Sequence, residues 1–352
     1  MPGPTKEGAL FARTRRTAWA AIGLALAAVA ALALACGGEQ GETPAGQVPT
    51  TPGVIALRAG LNDPQDVNIA VLEFLPESIT VPVGTTVEWR LTGPEPHTVT
   101  FLAPGQRPPT SEQELPPFFA PTPPTGPYDG TAFVNSGLQP LGPNPVTFQV
   151  TFARAGEYNY LCVIHPGMTG KVTVTEDARQ ADSQQEVTRR GDQELQQWLQ
   201  EGRAAKQRLM SQQPRRTANP DGTTTWFVEM GTTTEHTDVL AFAPVPATLR
   251  AGDRVTFVNN SGAPHTATFL GGRSAPSPDS PEVGQMVPGP SPQVLNAQSY
   301  FNTGLLPPNA PPGNAPPEAA RSFTFVVAQP GRYTYVCLLH VPSGMAGTIE
   351  AQ

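Results

Sequence analysis

Two short stretches, YLCVIHPGM at residues 160–168 and YVCLLHVPSGM at residues 335–345, each place a cysteine, a histidine and a methionine in one turn. The first offers Cys162, His165 and Met168; the second offers Cys337, His340 and Met345. An upstream histidine, His97 or His265, stands in the same Pro-His-Thr setting ahead of each group. Four of the five histidines and two of the three cysteines fall at these paired positions, which scattered residues would not do. Two imidazoles, a thiolate and a thioether form a borderline-to-soft donor set that suits copper, with methionine as a long, weak axial contact. Thiolate favours the cuprous ion and imidazole accepts both oxidation states, so a fixed compromise geometry limits rearrangement when one electron moves. Zinc is also held by cysteine and histidine, but it prefers four firm tetrahedral ligands and has no use for a thioether. Exported proteins often carry disulfides, yet Cys162 and Cys337 each sit beside their own His and Met, which argues against pairing them. His236 has no counterpart in the other copy and reads as an ordinary strand or surface residue.

The elements that must position these ligands come as an internal repeat. Residues 71–101 align without a gap on residues 239–269, with 12 of 31 positions identical. FVNSGLQP from Phe133 resembles YFNTGLLPP from Tyr300, and residues 148–165 match residues 323–340 at seven of 18 positions. Three blocks in the same order mean two copies of one domain. TTVEWRL, DRVTFVN, GEYNYLC and GRYTYVC alternate apolar and polar residues with the period of a half-buried strand. KVTV and GTIEA supply a closing strand in each copy, and Tyr158, Tyr160, Tyr333 and Tyr335 read as strand packing. Many short strands separated by turn signals predict an antiparallel sandwich or barrel. A cysteine at a strand end, with His and Met on the loop that follows, lets one turn give three ligands. The remaining histidine arrives from a distant strand pair, so the metal staples one end of the sandwich.

At these residues each copy resembles a cupredoxin, the blue-copper family of plastocyanin and amicyanin. C-x2-H-x2-M at 162–168 is similar to the amicyanin spacing, and the longer second loop is similar to that of plastocyanin and pseudoazurin. The resemblance implies an all-β fold of two Greek-key β-sandwich domains, residues 61–176 and 225–352; the connector between them, 177–224, lies outside the resemblance and reads as a helical linker. It also implies two type 1 copper ions, one on His97, Cys162, His165 and Met168, the other on His265, Cys337, His340 and Met345. In the family the histidine of the cysteine loop lies near the surface and passes electrons to partners. Here that role would fall to His165 and His340, with Val163, Ile164, Leu338, Leu339 and Val341 as an apolar docking surface. Two departures bear on the surroundings of the metal: Thr98 and Thr266 stand where plastocyanins usually have asparagine, and the His-to-Cys intervals are long.

The rest of the chain sets the context. Lys6, Arg13, Arg15 and Arg16 precede an apolar run from Ala18 to Ala35, and Cys36-Gly37-Gly38 follows. This reads as an export signal over 1–35, with Cys36 as a lipidation site of bacterial lipoprotein type, although Ala33 replaces the leucine usual three places before that cysteine. A retained membrane helix is the alternative, since eighteen apolar residues are of borderline spanning length. Residues 36–60 read as a flexible tether. Both readings place the protein outside the cytoplasm, facing the periplasm or cell exterior of a bacterium and held to the membrane by a lipid or an N-terminal helix. The formal net charge of −7, with no basic patch, excludes nucleic acid as a partner. Residues 178–213 are rich in Gln, Arg and Glu and predict a helix with Leu195, Trp198, Leu199, Leu209 and Met210 on one side, weakened by Gly191 and Gly202. Pro-rich inserts, 102–130 and 270–297, separate the first histidine from the cysteine in each copy. Copper oxidoreductases need further histidines, often in H-x-H pairs, and the chain has no such pair and only His236 to spare. The expectation is an electron carrier serving redox partner proteins of an electron-transport chain, rather than an enzyme; copper storage or delivery is the first alternative and a copper oxidoreductase the second.

Overall fold

The computed structural model describes residues 53–110, 114–140, 144–245, 248–278, 280–286, 293–296, 298–309 and 316–352. The expected export signal, Cys36 and most of the expected tether lie outside the described residues, as do parts of both inserts. No helix among the described residues is long and apolar enough to cross a membrane.

The first half contains β1 (Val54–Asp63), β2 (Asp66–Leu75), β3 (Ser78–Pro82), β4 (Thr86–Leu91), β5 (Thr100–Phe101), β6 (Val134–Asn135), β7 (Val146–Thr151), β8 (Gly156–Leu161) and β9 (Thr169–Thr175). β2, β1, β4 and β7 lie side by side, and the facing sheet runs β3-β9-β8-β5-β6. Alternation decides which side chains enter the space between them. In β8, Tyr158 and Tyr160 point inward while Glu157 and Asn159 face water. Trp89 is fully buried at the centre, edge-on to Phe101 at 5.6 Å and Tyr160 at 5.1 Å, an arrangement aromatic rings prefer. The tether expected over 36–60 is shorter than that. Residues from Val54 onward form β1, which pairs parallel with β4 and antiparallel with β2, so their backbone groups are satisfied within the sheet.

After α1 (Gln184–Met210) the second half repeats the plan: β10 (Arg216–Ala218), β11 (Thr224–Thr233), β12 (Thr237–Ala243), β13 (Arg254–Val258), β14 (Thr268–Phe269), β15 (Gln293–Leu295), β16 (Phe301–Asn302), β17 (Ser322–Val327), β18 (Gly331–Val336) and β19 (Ala346–Ala351). The facing sheet here is β16-β14-β18-β19. The linker expected over 177–224 therefore gives up β10 and the start of β11 to the second sandwich. Phe257 takes the place of Trp89, packed against Phe269 and Tyr335.

The two sandwiches share a sheet. β2 pairs antiparallel with β12, giving the order β15-β17-β13-β11-β12-β2-β1-β4-β7, with β10 on β11. The partners are Val71 with Thr237, Ala70 with Asp238, and Ile69 with Val239. Val71 and Val239 are repeat equivalents, and so are Ile69 and Thr237. The register is thus symmetric about the Ala70–Asp238 pair, as in a two-fold dimer built within one chain. Pairing these strands with each other removes two exposed edges.

The helix is a buttress rather than a spacer. Ser183 caps its N-terminus by accepting from the Glu186 backbone N–H, a serine placed where capping needs it. Leu195, Trp198 and Leu199 pack on Ile69, Val71 and Leu75 of β2. Ala205 and Leu209 pack on Val239, Ala241 and Ala243 of β12. One helix therefore covers the seam from both sides. Met210, expected on the same face, is exposed instead because it ends the helix past the sheet. Gly191 and Gly202 are what permit the contact: a Cβ on Gly202 would lie 2.4 Å from Ile69 Cγ2, and one on Gly191 2.9 Å from the Leu75 carbonyl carbon. His236 stacks on Trp198 with ring centroids 5.0 Å apart and bonds Glu201 through Nδ1 at 2.9 Å. Trp198→Ala is expected to lower unfolding free energy by about 3–5 kcal/mol, read from urea denaturation of the whole chain.

Candidate metal centres

Each centre is assembled where β8 or β18 ends. Cys162 follows β8 directly, and the turn to β9 is closed by Cys162 N–H donating to the Met168 carbonyl and Met168 N–H donating to the His165 carbonyl, both at 3.0 Å. In the second half Cys337 N–H donates to the Met345 carbonyl at 3.0 Å, and Met345 N–H to the His340 carbonyl at 3.1 Å. The two extra residues of the second loop leave that closure intact. The upstream histidine is pinned by a two-way backbone bridge, His97 to Gln139 and His265 to Leu306. Those partners close the FVNSGLQP and YFNTGLLPP blocks, which explains why the blocks recur.

In the first centre His97 Nδ1 lies 3.0 Å from His165 Nδ1, and His165 Nδ1 lies 3.4 Å from Cys162 Sγ. In the second, His265 Nδ1 and His340 Nδ1 are 3.1 Å apart, and Cys337 Sγ lies 3.6 and 3.3 Å from them. In each group all three donor atoms fall within 4.8 Å of one another. Both cysteines are free thiols. Met168 and Met345 are buried in the same turns. The thiol and two imidazoles of each group are therefore converged, buried and unbridged, which fits a copper ion.

The surrounding polar groups are duplicated as closely as the ligands. Thr98 N–H points at Cys162 Sγ at 3.3 Å, and Thr266 N–H at Cys337 Sγ at 3.4 Å. The Thr98 hydroxyl accepts from Val163 N–H, and that of Thr266 from Leu338 N–H, clamping the cysteine loop. Thr100 and Asn135 extend this chain in one half, Thr268 and Asn302 in the other. The threonine that stands where plastocyanins have asparagine thus holds the loop that carries the sulfur. The recurring H-T-x-T was its signal in the sequence. β1 contributes a further residue: it bulges at Gly60, whose positive φ of 67° lets the backbone pass under the His97 ring.

The two centres differ in charge. Burial drives His97 down to about 3 and, with help from His97 and His340, His165 well below the ordinary imidazole range. Burial also pushes the Cys162 thiol up. In the second centre burial lowers His265 to about 4, but His340 goes the other way. Burial opposes its charge, and the Glu95 carboxylate and Cys337 sulfur together outweigh that. Burial likewise raises Cys337, and the neighbouring His340 charge overrides it and holds the thiol below its usual value. Burial thus works against charge throughout the first group, whereas in the second the Glu95 carboxylate and the His340–Cys337 contact work in favour of it.

The expected docking surface is absent. His165 and His340 are 7% and 6% exposed, Ile164 and Leu338 1% and 0%, and Val163 is also buried. Only Leu339 and Val341 are partly exposed. Two causes combine: Val163 and Ile164 pack into the first half's own core and Leu338 packs on Val283 of the second insert, while the β2–β12 pairing turns the histidines toward the opposite half, where His165 shares a cleft with Thr233, His236 and Asp238. Glu73, Glu77 and His236 form a third cluster within 4.8 Å, but it has no sulfur and its histidine is already held by Glu201 and Trp198.

The family described as copper binding proteins, plastocyanin/azurin family, matches residues 63–175. Plastocyanin of Scenedesmus fuscus is 34% identical over 113 residues, covering 32% of this chain and 88% of that protein. Plastocyanin of Synechococcus sp. (strain JA-2-3B'a(2-13)) is 30% identical over 132 residues, covering 38% of this chain and 76% of that protein. Among solved structures, an oxidised amicyanin mutant is 23% identical and covers 36% of this chain and 86% of its own, with a TM-score of 0.24.

Proposed function

We propose, because the chain belongs to the plastocyanin/azurin family of copper-binding proteins, that it is an exported, membrane-anchored electron carrier with one type 1 copper in each half. His97, Cys162 and His165 would hold the first ion with Met168 as a weaker fourth ligand, and His265, Cys337 and His340 the second with Met345. The single observation that carries this reading is that a thiol sulfur and two imidazole nitrogens, all of them buried, converge in both halves. Copper supplies one-electron chemistry in such a site. The protein's part is to keep the ligands from rearranging: the threonine clamp, the closed Cys–Met turn and the bridged upstream histidine each restrain one ligand. Thr98 and Thr266 N–H groups aim at the sulfurs and moderate their electron donation, a role outer hydrogen bonds commonly play.

The reading also includes redox partner proteins of an electron-transport chain, and a lipid on Cys36 or a retained N-terminal helix as the anchor. It does not include catalysis, since His236 is the one histidine left after the ligands are assigned. Copper analysis of the loaded protein is expected to give two ions per chain, with intense visible absorption and the narrow copper hyperfine splitting of a sulfur-bound site in the electron-spin-resonance spectrum. A colourless protein, or one binding metal without saturation, refutes the proposal.

A further inference from the structure

The pseudo-two-fold symmetry of the chain is broken at one residue that lies between the two centres. Glu95 stands two residues before His97, and its repeat equivalent is Ala263. Its carboxylate crosses to the other half, where Oε2 lies 3.6 Å from His340 Nε2, with both side chains about nine-tenths buried. Its second oxygen accepts a hydrogen bond from the Ser343 hydroxyl. Ser343 belongs to the stretch that makes the second ligand loop longer, and its own carbonyl accepts from Asn68 Nδ2 at 2.6 Å. The longer loop and the acidic residue thus meet, each supplying what the other needs. His165 in turn lies against the second half, in a cleft it shares with Thr233 and Asp238.

In each centre Nδ1 is the nitrogen turned toward the cysteine, which leaves Nε2 of His340 facing away from it. In this chain that outward nitrogen meets Glu95 rather than solvent. The covalent path from His97 through Pro96 to Glu95 is two residues long, and a 3.6 Å carboxylate–imidazole approach continues it to His340. We propose that the two centres form one internal redox pair, with Glu95 as the positioning residue that joins the His97 loop to His340. This rests on both centres holding copper. One electron leaves a cuprous centre and enters a cupric one; the first is oxidised and the second reduced by one unit, and no bond forms or breaks and no proton moves. The buried carboxylate on the outer nitrogen of His340 also makes that ligand a stronger donor, which favours the cupric state of the second centre.

The test uses the copper-loaded chain reduced by a single electron in a fast pulse. In the parent protein a phase independent of protein concentration is expected, reporting exchange between the centres. In Glu95→Gln, which keeps the side-chain shape, that phase is expected to slow by about tenfold or more. The potential of the second centre is expected to rise by about 60 mV, a tenfold change in a one-electron equilibrium. A merely structural role for Glu95 would leave the potential alone. Should Glu95→Gln not fold or not retain copper, Ser343→Ala decides, with smaller changes in the same direction expected. Two blue centres with parent-like exchange and potential in the variant overturn the proposal. A parent chain lacking two blue centres would instead overturn the copper assignment beneath it.

Discussion

Replacing Cys162 with serine is expected to remove one of the two blue centres, and replacing Cys337 as well to abolish the visible band. The band depends on a sulfur-to-copper bond, and each pocket contains one cysteine sulfur. A serine hydroxyl does not ionise near neutral pH and is a poor ligand for the cuprous ion, so the loss should be close to complete at each site. The fold should survive. Serine is nearly the same size as cysteine, and the Thr98 or Thr266 N–H that now points at the sulfur can donate to the hydroxyl oxygen instead. The cost in stability should be about 1 kcal/mol per site. Absorption and electron-spin-resonance spectra of the single and double variants are the measurement. A persistent band in the double variant would mean that the colour, and the ligand assignment, belong elsewhere.

Gly60→Ala is expected to empty the first centre while leaving the second intact. A Cβ at this position would lie 1.9 Å from His97 Nε2 and under 3 Å from two ring carbons. No rotamer change of alanine relieves that, so the histidine must leave its place or β1 must move. The positive φ of Gly60 adds about 1–3 kcal/mol of backbone strain for any other residue. Gly231 occupies the matching bulge, yet a Cβ there would stand 3.1 Å from His265 Nε2, so the same exchange in the second half presses less on the ring. Copper content should drop from two ions to one per chain, and the surviving spectrum should match that of the Cys162→Ser variant. Two ions with unchanged spectra in Gly60→Ala would show that His97 is not held where β1 now confines it.

The strand alternation around Trp89 and Phe257, the Cys-His-Met turns, and the recurrence of PHT were all legible because they are local. A two-residue period or a three-residue spacing depends only on the chain itself. The helix was legible in place but not in purpose. Its apolar stripe and its two glycines become intelligible once β2 and β12 lie beneath it, since Gly202 is a weakness in an isolated helix and a necessity in a packed one. Gly60 carried no signal, because its importance comes from an imidazole 37 positions away in sequence.

What the amino-acid order determined alone was therefore the donor set, its duplication and the β-sandwich that presents it. Tertiary structure decided how the two sandwiches face one another. That choice follows from the register between two edge strands, Val71 opposite Thr237 and Ile69 opposite Val239, and nothing in either strand distinguishes an edge that pairs from one that meets water. The same pairing turns His165 and His340 toward the opposite half and brings Glu95 to an imidazole from which it is 245 residues distant. Contacts of that range have no periodicity to betray them, because they are set by the summed packing of the seam and its covering helix rather than by any one stretch of chain.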